Sequence, residues 1–126
     1  QLIKEAIDQY PVYPENITLL GFSQGTILSY AVALSHPEMV KNLIALSGYI
    51  NLDILKENFS ENDFSGLEIY ASHGSQDQVI PVNWARKAPE KLKELGVAHQ
   101  YSEFPVGHGV APQNFMELKT WLKKRI

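Results

Sequence analysis

Apolar residues along the chain follow two alternating rhythms. Leu2, Ile3, Ala6 and Ile7 recur at helical spacing and predict a helix over 1–10, stopped by Pro11. Tyr13-Pro14-Glu15-Asn16 is a turn signal. The dense run Ile17-Thr18-Leu19-Leu20 predicts a buried strand over 17–21. Helical spacing returns with Ile27, Leu28, Ala31 and Val32 and predicts a helix over 24–35. It ends before His36-Pro37, because the residue preceding proline avoids the helical region. Leu43-Ile44-Ala45-Leu46 predicts a second short strand, closed by Ser47-Gly48. Residues 51–66 are polar and irregular, with room for one short helical turn near Asp53–Glu57. Leu67-Glu68-Ile69-Tyr70-Ala71 predicts a third strand, ending at Ser72-His73-Gly74. A helix over 83–95 comes next and stops at Gly96; Pro89 should kink it or split it in two. His99 to Phe104 reads as a fourth strand, mostly polar and so near an edge. The last helix starts near Pro112 and puts Phe115, Leu118, Leu122 and Ile126 on one face.

Strands alternating with helices predict an α/β fold: about four parallel strands with helices on both faces. The 126 residues suffice for one domain with a core, and there is no repeat or low-complexity segment. A net charge of −3 offers nothing to nucleic acid or to an anionic membrane surface. The one basic cluster, Lys123-Lys124-Arg125, ends the last helix, where cations complement the macrodipole. With no cysteine there are no disulfides or thiolate metal sites, and no histidine–carboxylate spacing suggests a metal. No apolar run is long enough to span a bilayer and no signal peptide is evident, so the expectation is a cytoplasmic protein without membrane anchoring.

Chemistry enters with Gly21-Phe22-Ser23-Gln24-Gly25. G-x-S-x-G between a strand and a helix folds as a sharp turn that lifts a strained serine off the sheet. A chance match in a chain of this size has a probability of about 4%, so context decides. The strand before and the helix after Ser23 supply it. A Cβ at either flanking glycine is expected to collide as the chain reverses. Open parallel sheets place functional groups beyond the carboxyl ends of their strands. Ser23 comes after the first strand, Ser47 after the second, Asp77 after the third and His108 after the fourth. The order Ser, Asp, His is that of α/β-hydrolases. A serine needs a nearby base, an imidazole titrates in the right range, and a carboxylate fixes its tautomer. The backbone N–H of Gln24, at the start of a helix, can donate to an oxyanion.

Rival assignments stand beside these. Ser23 could cap a helix, Asp77 could be an ordinary loop residue, and His108 could simply face solvent. Asp53, Asp63 and Glu103 compete as the acid, though none occupies the loop after the third strand. His36 precedes a helix-ending proline and His99 opens a strand. His73 is suited to support the Asp77 loop by hydrogen bonding, and Ser47 to shape the floor of the site.

The segments Gly-Phe-Ser-Gln-Gly (21–25), Leu-Ser-Gly-Tyr (46–49), His-Gly-Ser-Gln-Asp-Gln-Val-Ile-Pro (73–81) and Gly-His-Gly (107–109), with Trp121-Leu122, resemble the phospholipase/carboxylesterase family. That family includes acyl-protein thioesterases and bacterial carboxylesterases, and the resemblance covers essentially the whole chain. It implies the C-terminal half of an α/β-hydrolase, with Ser23 as nucleophile, Asp77 as acid, His108 as base and Gln24 as one oxyanion donor. It also implies no cofactor, and small-molecule ester or thioester substrates with short to medium acyl chains.

The chain departs from the family pattern in two places. Thr26 stands where the family usually has another glycine. The resemblance further implies that the N-terminal half, with about four further strands and the loop that gives the second oxyanion donor, is missing, so residues 1–126 are expected to form a partial domain. Losing one such donor typically costs about 10²–10³ in turnover. The strand over 17–21 then lies at an edge that invites pairing. Alone, these residues are expected to be unstable or to associate, with an N-terminal fragment or a second copy as the partner. The competing functions are an acyl-thioesterase or lysophospholipase, and a catalytically incompetent hydrolase-like binding module.

Overall fold

Four strands, β1 Thr18–Phe22, β2 Asn42–Leu46, β3 Glu68–Gly74 and β4 Ala98–Phe104, form one sheet in a computed structural model. The structure describes residues 17–125; the helix expected over 1–10 and the turn at 13–16 lie outside the described residues. All three strand pairs are parallel and the spatial order is β1-β2-β3-β4, so each crossover steps to the next neighbour. The carboxyl ends therefore line up along one rim. The helices are α1 Gln24–Ser35, α2 Val82–Ala85, α3 Lys87–Leu95 and α4 Pro112–Lys123.

Alternation along the strands sorts the core into two layers. Leu43, Ala45, Ile69 and Ala71 pack under Tyr30 and Leu34 of α1 and Ala88 and Leu92 of α3. Ile44, Leu46 and Tyr70 point the other way, onto Leu118 and Trp121 of α4. Helices thus cover both faces, in keeping with the alternating pattern. On β1 this second face is uncovered among the described residues: Leu20, which pairs with Ile44, is 61% exposed, and Phe22 is also exposed.

Several elements differ in detail from expectation. β3 runs three residues further, through Ser72-His73-Gly74, because β4 pairs with it along its whole length. The irregular 51–66 segment carries two single 3-10 turns, Leu52–Ile54 and Phe59–Glu61, rather than one. The helix over 83–95 is split, but at Arg86 rather than at Pro89. The ring of Pro89 would meet the carbonyl four residues earlier, at Ala85, so the break falls one turn upstream.

Two helices bury a face that differs in part from the one expected; Ile126 lies outside the described residues. α1 buries Thr26, Tyr30, Ala33 and Leu34, while Leu28 is exposed. Its apolar residues surround the helix, so spacing alone does not single out a side. α4 buries Asn114, Leu118 and Trp121, with Leu122 half-buried, whereas Phe115 faces out. Asn114 can take an interior position because its amide is bonded at both ends. Its Nδ2 donates to Tyr70 Oη at 2.9 Å, and its Oδ1 accepts from Ser72 Oγ at 3.1 Å.

Trp121 is 4% exposed and Phe115 is 53% exposed. Trp121→Ala is therefore expected to lower stability by about 3–5 kcal/mol, and Phe115→Ala by no more than about 0.5 kcal/mol. Urea unfolding of the two variants checks this, and similar losses at both positions would contradict the observed face of α4.

Candidate active site

Ser23 links β1 directly to α1 and holds φ 56°, ψ −116°, a region that non-glycine residues rarely enter. Such a residue costs about 1–3 kcal/mol and persists only where its surroundings hold it. The hold comes from the end of β2. Ser23 N donates to the Leu46 carbonyl at 3.0 Å, and buried Thr26 donates its hydroxyl to the same oxygen at 2.6 Å. The threonine in place of the family's usual glycine thus serves as a second pin on the turn. Its side chain also lies where a Cβ on Gly48 would fall, 2.6 Å away. At Gly21 a Cβ would come within 2.6 Å of Gly25 O and Thr26 N, as expected for a tight reversal. The same expectation fails for Gly25, where a Cβ meets nothing within 4 Å among the described residues. The α1 N-terminus has no side-chain cap: Thr26 N and Ile27 N donate to the Ser23 carbonyl, at 3.0 and 3.2 Å, and the Gln24 N–H has no partner within the helix.

The loops after β3 and β4 are zipped together. Ser75 N donates to Phe104 O at 2.8 Å and Gln76 N to Val106 O at 3.0 Å. Gly74 permits the approach: a Cβ there would fall 2.1 Å from Gly107 O and 2.4 Å from Val106 O. The loop after β2 joins them through Ser47, also at positive φ, whose hydroxyl donates to Gly109 O at 3.5 Å.

This scaffold brings Ser23, Asp77 and His108 into hydrogen-bond reach. His108 Nδ1 lies 2.6 Å from Asp77 Oδ2, and Nε2 lies 3.0 Å from Ser23 Oγ. A carboxylate only accepts, so the Nδ1 proton donates to Asp77 and Nε2 is left to accept from the serine hydroxyl. The buried Asp77 side chain accepts on Oδ1 from Val79 N and Ile80 N, both at 2.8 Å. The Phe22 ring packs 5.0 Å from the His108 ring, tilted by 45°. Motif spacing in the sequence singles out neither the two backbone donors nor this ring. The turn chemistry of an aspartate bonding two and three residues ahead is the signal that could have indicated the donors.

The rival acids are occupied elsewhere. Glu103 takes a two-pronged bond from Arg86, at 2.8 and 2.9 Å, and the Tyr101 hydroxyl at 2.7 Å. Asp53 and Asp63 are exposed in the irregular segment. His36 is half-buried beside Glu38, and His99 Nδ1 lies 2.8 Å from the Val97 carbonyl. His73 is buried within reach of Asp77: its Nε2 lies 2.8 Å from Ile80 O and 3.3 Å from Asp77 Oδ2. Among the described residues no group of three metal-ligating side chains forms a metal set, and no helix is long and apolar enough to cross a membrane.

A groove of about 440 Å³ opens at the same rim, lined by Tyr49, Ile50, Leu52, Trp84 and Lys87. Tyr49 and Trp84 meet edge to face at 5.1 Å. Gly48, next to Tyr49, borders the elbow: its Cβ would lie 2.9 Å from Ser23 O. Another hollow, among Pro37, Lys41, Asn62 and Gly66, adjoins the amino ends of β2 and β3 and holds no site residue.

Burial disfavours the charge on Asp77. The bond from His108 and those from Ile80 and Val79 together outweigh it and hold the carboxyl below its ordinary range. A carboxylate with a lowered folded-state pKa contributes stability that is present above its unfolded value, about 3.9, and lost as pH falls through the folded one. The stability difference between the parent and Asp77→Asn should therefore shrink as pH drops below about 4. Urea titrations from neutral to strongly acid pH measure it, and a difference constant over that range would contradict the bonded carboxylate.

The Phospholipase/Carboxylesterase family model matches residues 1–126. Acyl-protein thioesterase 1 of Kluyveromyces lactis is 32% identical over 130 residues, covering 98% of this chain and 56% of the relative. The probable carboxylesterase SOBER1-like of Arabidopsis thaliana is 29% identical over 116 residues, covering 91% of this chain and 44% of the relative. The crystal structure of Arabidopsis thaliana SOBER1 superposes with a TM-score of 0.81 at 26% identity, over 98% of this chain and 59% of that one. The chain spans about half the length of the curated relatives it matches. With its sequence matched from end to end and its sheet shared with these enzymes, the chain belongs to the phospholipase/carboxylesterase family of α/β-hydrolases.

Proposed function

We propose that the protein carrying this chain hydrolyses carboxylic esters with short to medium acyl chains through an acyl-enzyme on Ser23. The observation that carries the reading is the continuous Ser23–His108–Asp77 chain of hydrogen bonds at the carboxyl rim. Ser23 Oγ attacks the substrate carbonyl as its proton passes to His108 Nε2. Asp77 keeps the imidazole oriented and stabilises the cation that forms. The Gln24 N–H, at the uncapped start of α1, donates to the oxyanion. Collapse breaks the bond to the leaving group, which departs with the proton from His108. A water then repeats the sequence: His108 takes its proton, the acyl–Ser23 bond breaks, and the acid leaves as Ser23 regains its hydrogen. The Tyr49–Trp84 groove receives the acyl chain.

A thioester in place of the ester is the second reading, favoured by the 32% identity to an acyl-protein thioesterase. The same residues serve both, since only the leaving atom changes. Parallel turnover of matched esters and thioesters decides between them. A binding module without turnover has less support, because it gives no reason for a strained serine aligned with a carboxylate-backed imidazole.

In the full protein, Ser23→Ala is expected to abolish fluorophosphonate labelling and to reduce kcat by roughly 10⁴–10⁶. Asp77→Asn should reduce kcat by about 10⁴. Labelling that survives Ser23→Ala would remove the nucleophile assignment. Trp84→Ala should raise KM for an octanoyl ester about tenfold, equivalent to ~1.4 kcal/mol, with little change for an acetyl ester. Equal effects on both substrates would place the acyl chain elsewhere.

A further inference from the structure

The geometry points to His73 as a positioning residue for the Asp77–His108 pair, a role beyond support of the fold; the inference rests on the serine-hydrolase reading above. His73 sits on β3, four residues before Asp77, and is 1% exposed. Its Nε2 is 2.8 Å from the Ile80 carbonyl, and a carbonyl can only accept, so this nitrogen carries a hydrogen. The same nitrogen is 3.3 Å from Asp77 Oδ2. That N–H bonds the far end of the acid turn, the backbone at residue 80, and lies beside its near end, the carboxylate at residue 77.

The carboxylate offers about four acceptor positions. Val79 N and Ile80 N donate to Oδ1 and His108 Nδ1 to Oδ2, while His73 Nε2 lies 3.3 Å from Oδ2 with its hydrogen given to Ile80 O. The two backbone donors belong to the turn itself and move with it. Backbone bonds from Ser75, Gln76 and Asp77 hold the start of the turn to β3, β4 and the loop after β4; His73 is the side-chain donor that ties its far end, at Ile80, to the sheet, because β3 is paired on both sides at Leu46↔Ser72 and Ser72↔Ser102 and continues through His73↔Glu103. Ile80 completes the link, since its N–H donates to Asp77 while its carbonyl accepts from His73.

A second observation separates this role from ordinary packing. His73 Nδ1 is buried without a hydrogen-bond partner among the described residues. An unsatisfied buried polar atom costs about 1–3 kcal/mol, which an apolar ring of similar size would avoid. What the imidazole supplies and an apolar ring lacks is the Nε2–H directed at the acid turn. Misplacing a catalytic group by about 1 Å can cost about 10²-fold in rate, and the acid turn is where that displacement would begin.

The test uses the full protein and three variants: His73→Phe, which keeps a ring and loses the donor; His73→Gln, whose Nε2 can replace the imidazole Nε2; and His73→Asn, whose amide stops a bond short. His73→Phe should lower kcat by about 10–100-fold with KM nearly unchanged. It should also weaken or remove the low-field proton resonance of the His108 Nδ1–H···Asp77 bond. His73→Gln should restore both. If His73→Phe does not fold cooperatively, His73→Asn takes its place and should show the same loss. A folded donorless variant that keeps the resonance and kcat within about twofold of the parent overturns the role. Loss of activity that His73→Gln does not recover, with the resonance intact, also overturns it. Failure of the hydrolase reading looks different: the parent protein itself would show no fluorophosphonate labelling, whatever residue 73 is.

Discussion

The carbonyl of Leu46 is the point on which the site hangs. It accepts the Ser23 N–H and the Thr26 hydroxyl together, fastening both limbs of the strained turn to the neighbouring strand. Ser23 cannot relax to an ordinary backbone conformation without giving up one of these bonds. The cost of its dihedral angles is therefore met by β2, an interior strand buried along its whole length. Strain of this kind survives only on rigid support. It also fixes where the serine oxygen points, and hence where the imidazole has to be.

The second half of the site is built by contact between loops. Ser75 and Gln76 bind the backbone of residues 104 and 106, and Gly74 leaves the room they need. Beneath, α4 is keyed to the sheet by Asn114, Tyr70 and Glu117 rather than by apolar packing alone. That anchorage holds the helix into which the His108 loop runs. Mixed polar and apolar contacts under α4 and apolar packing on the other face thus bear on the same few ångströms between Ser23 and His108.

The parallel strands and the residues that meet were legible because they rest on short-range chemistry. Each apolar run ended in a polar loop, and the rim of a parallel sheet gathers the loops that leave the carboxyl ends of its strands. What could not be read was orientation about a helix axis. Leu28 and Phe115 look like core residues by spacing, yet Thr26 and Asn114 occupy the interior, because a satisfied polar side chain competes with an apolar one. The broken helix at Arg86 was legible in kind and misplaced in position, since proline acts on a carbonyl one turn away. The bonds from Val79 and Ile80 to Asp77 depend on a turn conformation that composition does not specify.

Sequential strand order has a further effect, on how the site comes into being. Ser23 and His108 are 85 residues apart in the chain, and Asp77 and His108 are 31 apart. Contacts of such separation require the intervening chain to be ordered first, and parallel sheets form them slowly. Each of the four strands leads directly into Ser23 or lies between it and His108 in the chain. The hydrogen bond between the two is thus closed only when β1 to β4 are all in register. Its presence reports that these four strands are in register together.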